Sequence, residues 1–149
     1  MITLGVINEE NVRDCLKIDA GNGKKNFIAN SFAIAWIYRD SAEPLIIFND
    51  NEPVGFILLF INKDGENSKI CDISRLMIDI NHQRKGYARA ALQSTFDYVR
   101  HKSSCKLIRL SFTPNNIAAK MLYEQLGFIY NGETKYGEVE MIFHLASNE

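Results

Sequence analysis

The sequence has one tryptophan, three prolines, three cysteines and no excess of either charge. Cys15, Cys71 and Cys105 are an odd, widely separated set with no CxxC pair and no His pair beside them. That spacing gives no support to a zinc site or a disulfide framework, and reads as three reduced, mostly buried thiols. Lys plus Arg number 17 against 18 Asp plus Glu, for a formal charge of −1. Domains that coat nucleic acid carry a clear basic excess, and long disorder needs low hydrophobicity or high net charge, so both are argued against. No apolar run approaches the ~20 residues that span a bilayer. The longest, residues 54–61, has the length of a strand. Residues 1–7 lack a basic stretch and reach Asn8-Glu9-Glu10 too soon for a secretory signal. The expectation is a cytoplasmic protein that works on neither membrane nor nucleic acid. At roughly 100–150 residues per domain, residues 1–149 are expected to be one domain.

What is present is an ordered run of short elements without internal repeats. Residues 2–7 read as a strand, and Asn8 is predicted to cap a helix over 9–19. Gly21-Asn22-Gly23 stops it, and an aromatic-rich helix follows over 25–39. Strands at 45–48 and 54–61 flank the turn 49–53 as a hairpin. A polar loop at 63–68 leads to a strand over 69–79, the segment 81–86, and a helix running to 101. A strand at 106–112 precedes a helix at 116–126 that Gly127 stops. Strands at 128–130 and 138–145, with a turn at 131–133, end the chain. Antiparallel strands come first and strand–helix alternation later. The expected class is α/β (α+β), a mixed sheet covered by helices.

Two segments carry chemistry. In Gln83-Arg84-Lys85-Gly86-Tyr87-Ala88-Arg89 a strand enters a short basic loop that opens a helix. Backbone N–H groups of such a loop and of the first helical turn surround an anion, and Gly86 admits close approach. The pattern is neither GxGxxG nor GxxxxGK[ST], and alone it also reads as plain architecture. In the second segment Asn116 stands at a helix start and Tyr123 seven residues later, about two turns on and on the same face. Asn116 reads as a cap or as a ligand for a carbonyl or amide. Tyr123 reads as a core residue or as a phenol offered to a reaction centre.

Together the two segments resemble the GNAT superfamily of acetyl-CoA-dependent N-acetyltransferases. Gln83-Arg84-Lys85-Gly86-Tyr87-Ala88 is similar to its Q/R-x-x-G-x-G/A pyrophosphate loop. Asn116-Ile117-Ala118-Ala119-Lys120-Met121-Leu122-Tyr123-Glu124-Gln125-Leu126-Gly127-Phe128 is similar to its N-x-x-A-x-x-L-Y-x-x-x-G-F segment. Arg75-Leu76-Met77-Ile78-Asp79, Glu52-Pro53-Val54-Gly55-Phe56 and Asn131-Gly132-Glu133 further resemble bacterial spermine/spermidine (diamine-type) N-acetyltransferases. The resemblance implies a mostly antiparallel central sheet flanked by helices, with a splayed strand pair at the acetyl-CoA site. It implies that Leu76, Met77 and Ile78 offer backbone groups to the pantetheine arm. Gln83, Arg84, Lys85, Gly86, Tyr87, Ala88 and Arg89 then hold the pyrophosphate, with Asn116 and Tyr123 beside the cofactor. Arg84 stands where glycine is common, so the local loop geometry is expected to differ.

The implied reaction constrains the remaining roles. An alkylammonium has a pKa near that of Lys, about 10.4, and must lose a proton before it attacks a thioester. Tyr123 matches the family tyrosine that donates to the CoA sulfur. Asp72 and Glu140 are candidate bases, beside a water chain to bulk solvent, and Asp72 reads equally as an exposed strand carboxylate. Oxyanion donors are expected on the strand near Met77. Trp36, Tyr38, Glu43, Glu133 and Glu138 have the aromatic and acidic chemistry a polyamine needs, though Trp36 and Tyr38 also read as core or dimer surface and the glutamates as a solvated strand face. His82 reads as a solvated loop residue. The expected co-substrate is acetyl-CoA, with no metal. The acceptor is a small amine, preferably a polyamine, and alternatively an aminoglycoside, an amino acid or a protein N-terminus. A homodimer is expected from the resemblance, and a non-catalytic CoA-binding module is the alternative class.

Overall fold

A computed structural model describes residues 1–21, 26–62, 65 and 68–145. The elements follow in the order β1 (Ile2–Val6), α1 (Val12–Leu16), α2 (Phe27–Ile37), β2 (Ala42–Asn49), β3 (Glu52–Ile61), β4 (Ile70–Ile78), α3 (Tyr87–Lys102), β5 (Leu107–Phe112), α4 (Ile117–Leu126), β6 (Ile129–Glu133) and β7 (Val139–His144). Among the described residues the strands form one seven-stranded sheet in the order β1-β2-β3-β4-β5-β7-β6. Every pair is antiparallel except β4 with β5. The mixed, mostly antiparallel sheet flanked by helices is therefore the observed class.

Alternation along the strands separates two apolar layers. On one face Leu45, Ile47, Ile108 and Met141 pack against Ala91, Leu92, Phe96 and Val99 of α3, with Leu122 and Tyr123 of α4 at the margin. On the other, Ile46, Phe56, Leu58 and Met77 pack against Cys15 of α1 and Ile28 and Ala35 of α2. All three cysteines are buried and free.

Boundaries differ from the sequence reading where local polar chemistry intervenes. Asn8 does not start a long helix. Its side-chain oxygen accepts from the N–H groups of Glu10 and Asn11, closing a turn, and α1 begins only at Val12. The hairpin turn contracts to residues 50–51, because β2, which begins already at Ala42, runs on to Asn49 and β3 starts at Glu52. Residues 131–133 are not a turn. They continue β6, whose pairing shifts register between Tyr130 and Glu133, with Gly132 at φ 100°. The chain reverses at 134–138 instead, where Thr134 and Glu138 exchange hydrogen bonds. Residues 22–23 of the expected helix stop and 63, 64, 66 and 67 of the polar loop lie outside the described residues.

The parallel ladder between β4 and β5 runs from Ile70↔Leu107 to Asp72↔Arg109 and stops there. Beyond it β4 stays paired with β3 as far as Ile78, while β5 stays paired with β7. The sheet opens between them. That opening positions everything that follows.

Candidate functional site

On the α3–α4 side of the opening lies a cleft of about 550 Å³. Leu76 and Ile78 of β4, the loop residues Gln83, Arg84 and Gly86, and Asn116 and Tyr123 of the α4 segment all line it, as do Tyr87, Ala88 and Arg89. Nine of the expected cofactor residues and the candidate acid thus converge, although Arg89 and Asn116 stand 27 positions apart in the sequence. Met77 and Lys85 do not line the cleft. Met77 is buried on the α1–α2 face. The Asp79 N–H donates to Val54 on β3 at 2.8 Å, and backbone direction alternates along a strand. The Met77 N–H therefore also faces β3, and the groups turned to the opening belong to Leu76 and Ile78.

The mouth of the cleft suits an anion. Gly86 is the N-cap of α3 at φ 79°, without a side-chain cap, and no acidic side chain occupies the first turn. The first N–H groups of the helix are left for a ligand. A Cβ added at Gly86 would meet no protein atom within 4 Å, so the space above it is open. Arg84 adopts φ 63°, the left-handed conformation that glycine takes without strain. Arg89 spans the cleft from α3 to the Gln125 side chain on α4. The Gln83 side chain turns away, donating to the Ala20 and Ile78 carbonyls at 3.0 and 2.9 Å.

Asn116 is a true cap, its Oδ1 accepting from the Ala119 N–H at 3.1 Å, which leaves its amide group free. Tyr123 packs between Phe112 and Phe128, with ring centroids 5.6 Å from each. Burial pushes its phenol pKa above the ordinary 10.0, so the proton stays on at neutral pH. Its hydroxyl makes no hydrogen bond among the described residues. Sequence reasoning undervalued His82, which lines the same cleft and lies 3.6 Å from Glu52. Its nearness to the basic loop was the available signal.

The opposite side of the opening carries a second groove, of about 420 Å³. It is lined by Asp72 and Ser74 of β4, Arg109 and Ser111 of β5, Glu138 and Glu140, and Phe60. Asp72 makes a two-pronged ion pair with Arg109 at 2.6 and 3.0 Å and also accepts from Asn62. The Arg109 pKa rises further, chiefly through its bond to Asp72. Glu138 accepts from the Ser111 hydroxyl at 3.1 Å and Glu140 from the Asn131 amide at 2.6 Å. Three carboxylates against one guanidinium make the groove acidic.

The other acceptor candidates separate. Tyr38, 58% exposed, stands edge-on to Phe60 without itself lining the groove. Trp36, 69% exposed under the Arg39 guanidinium, lines a different, apolar groove with Phe32 and Pro44. Glu43 lies beneath α3, where the Tyr98 hydroxyl donates to it, and Glu133 is exposed on β6 without lining either groove. For the glutamates, the alternation of a strand decides the placement, since each step along it changes the face. Among the described residues no three His, Cys, Asp or Glu side chains converge as a metal site, and no helix is long and apolar enough to cross a membrane.

The model of the acetyltransferase (GNAT) family matches residues 14–128. A spermine/spermidine N(1)-acetyltransferase of Bacillus subtilis is 31% identical over 108 residues, covering 69% of this chain and 70% of that protein. The crystal structure of a Vibrio cholerae spermidine N-acetyltransferase in complex with CoA and spermine superposes with a TM-score of 0.74 at 18% identity, covering 97% and 95% of the two chains. An aminoglycoside acetyltransferase in complex with coenzyme A and kanamycin superposes at 0.77 with 16% identity and the same coverage.

Proposed function

Because the chain belongs to the acetyltransferase (GNAT) family and so is an acetyl-CoA-dependent N-acetyltransferase, we propose that its acceptor is a polyamine or diamine bound in the acidic groove, with Tyr123 as general acid. One observation carries this reading: the sheet opens between β4 and β5, with a cleft suited to an anion on one face and a carboxylate-rich groove on the other. The name of the B. subtilis relative points the same way.

Acetyl-CoA supplies the activated acyl group. The chain's own residues do the rest. The Gly86 turn, the first N–H groups of α3 and the Arg84 and Arg89 side chains hold the pyrophosphate. Leu76 and Ile78 turn backbone groups to the opening, where the Ile78 carbonyl already accepts from Gln83. Tyr123 keeps its proton because burial disfavours the phenolate, and holds it for the departing thiolate. Glu140 is better suited than Asp72 to take the amine proton. Both Asp72 oxygens are already engaged by Arg109, whereas Glu140 has a single amide partner. The excess of carboxylates over Arg109, with the Phe60 ring in the lining, compensates a cation that leaves water.

Release of free CoA from acetyl-CoA, measured with spermine, spermidine, putrescine, kanamycin and an α-amino peptide, tests the acceptor. Polyamines are expected to give kcat/KM at least about tenfold above the others, which is roughly 1.4 kcal/mol of transition-state discrimination. Turnover confined to kanamycin or to the peptide would overturn the assignment.

A further inference from the structure

The segment that joins α1 to α2 is fastened to the loop that joins β4 to α3. The Asp19 N–H donates to Asp79 Oδ1 at 3.0 Å, and the Ile80 N–H donates back to the Asp19 carbonyl at 2.7 Å. The other Asp79 oxygen accepts from the Asn81 N–H at 3.1 Å. Gln83 Nε2 adds the second strap, donating to the Ala20 and Ile78 carbonyls. Gly21, at φ 89°, lies so close to Ile80 that a Cβ there would come within 2.9 Å of its Cδ1. Asp19, Ala20 and Gly21 do not line the cofactor cleft. The first turn of α2 is in turn fixed to β4 by Arg75, whose Nη1 donates to the Phe27 carbonyl at 3.3 Å and to the Ser31 hydroxyl at 3.0 Å.

Gln83 is therefore divided between two tasks. Its backbone belongs to the loop that meets the pyrophosphate, while its side chain grips a segment on the other side of β4's end. We propose that Gln83 and Asp79 are positioning residues that couple the cofactor cleft to residues 19–21, so that filling the cleft orders that segment without touching it. An anion that fixes the backbone after Gln83 restricts where its amide can lie, and hence where the Ala20 carbonyl can lie. Coupling of this kind is reciprocal: loosening residues 19–21 weakens CoA by the factor that CoA tightens them. The inference rests on the cofactor cleft alone and holds whichever amine is the acceptor.

Backbone hydrogen exchange with and without CoA reads the coupling directly. In the wild-type protein CoA is expected to slow exchange at residues 19–21 by about fivefold or more, beyond its effect on the loop itself. Gln83→Glu keeps the shape but turns an acceptor oxygen toward two carbonyls. At saturating CoA it is expected to reduce that slowing to less than about twofold. Asp79→Asn, which retains an oxygen for the Asp19 N–H, is expected to keep it. Slowing confined to residues 80–90 of the wild-type protein would overturn the proposal, as would slowing at 19–21 that survives Gln83→Glu. The wild-type comparison decides even where a variant fails to fold, and an absence of polyamine turnover would bear on the acceptor without altering this readout.

Discussion

Tyr123 shows how much one side chain depends on its surroundings. Two phenylalanine rings shield it, and the same burial that raises its pKa keeps the phenol protonated. Removing only the hydroxyl leaves that packing intact. Tyr123→Phe is expected to lower kcat by about tenfold or more with acetyl-CoA binding nearly unchanged, a split that steady-state kinetics and calorimetry resolve. Equal turnover in the two proteins would take Tyr123 out of the reaction. The spacing of Asn116 and Tyr123 was legible in the sequence, because seven residues on a helix fix a common face. The fate of Glu43 and Asp72 was not. A carboxylate's partner lies on a neighbouring strand or helix, and only strand register brings Arg109 to Asp72 and only helix packing brings Tyr98 to Glu43.

At the scale of elements, the cleft depends on α3 and α4 being held against the same sheet. Phe96 of α3 stacks on Phe143 of β7, with ring centroids 4.1 Å apart and planes 5° from parallel, and Phe128 packs against both. Phe96→Ala removes the middle of this cluster and is expected to cost about 3–5 kcal/mol, seen as a lower midpoint in denaturant with little change in slope. A cost below about 1 kcal/mol would mean that the site collapses without a cavity. Element types and order were legible from periodicity, and the strand–loop–helix bearing Gly86 came out where expected. The last hairpin was misplaced for a physical reason. Asn131-Gly132 has turn chemistry, but here it forms a bulge within β6, held by the Asn131 amide on Glu140.

For the molecule as a whole, burial leaves acids that the folded state keeps protonated. The Cys15 thiol is pushed from 9.0 up to about 12 by burial, and Cys71, Tyr98 and Tyr123 are raised as well. An unfolded thiol loses its proton near pH 9, whereas the folded one retains it. The folded state then holds more protons, so stability falls as pH rises. The contribution is fully present below pH 9 and drains away toward pH 12, with a slope of up to about 1.4 kcal/mol per pH unit for each such group. Denaturant midpoints measured between pH 8 and 11 are expected to decline from pH 9 upward. Thiol alkylation of the native protein at pH 8 is expected to be slow at all three cysteines. A flat profile, or rapid labelling, would show that these side chains exchange with water.

The break in the ladder between β4 and β5 makes the sheet a partition with a window rather than a floor. If acetyl-CoA and the amine take its two sides, as proposed, each has its own door and neither has to leave for the other to enter. Chemistry would then belong to the moment when both rooms are occupied, and an excess of amine would crowd its own doorway and leave the nucleotide's free.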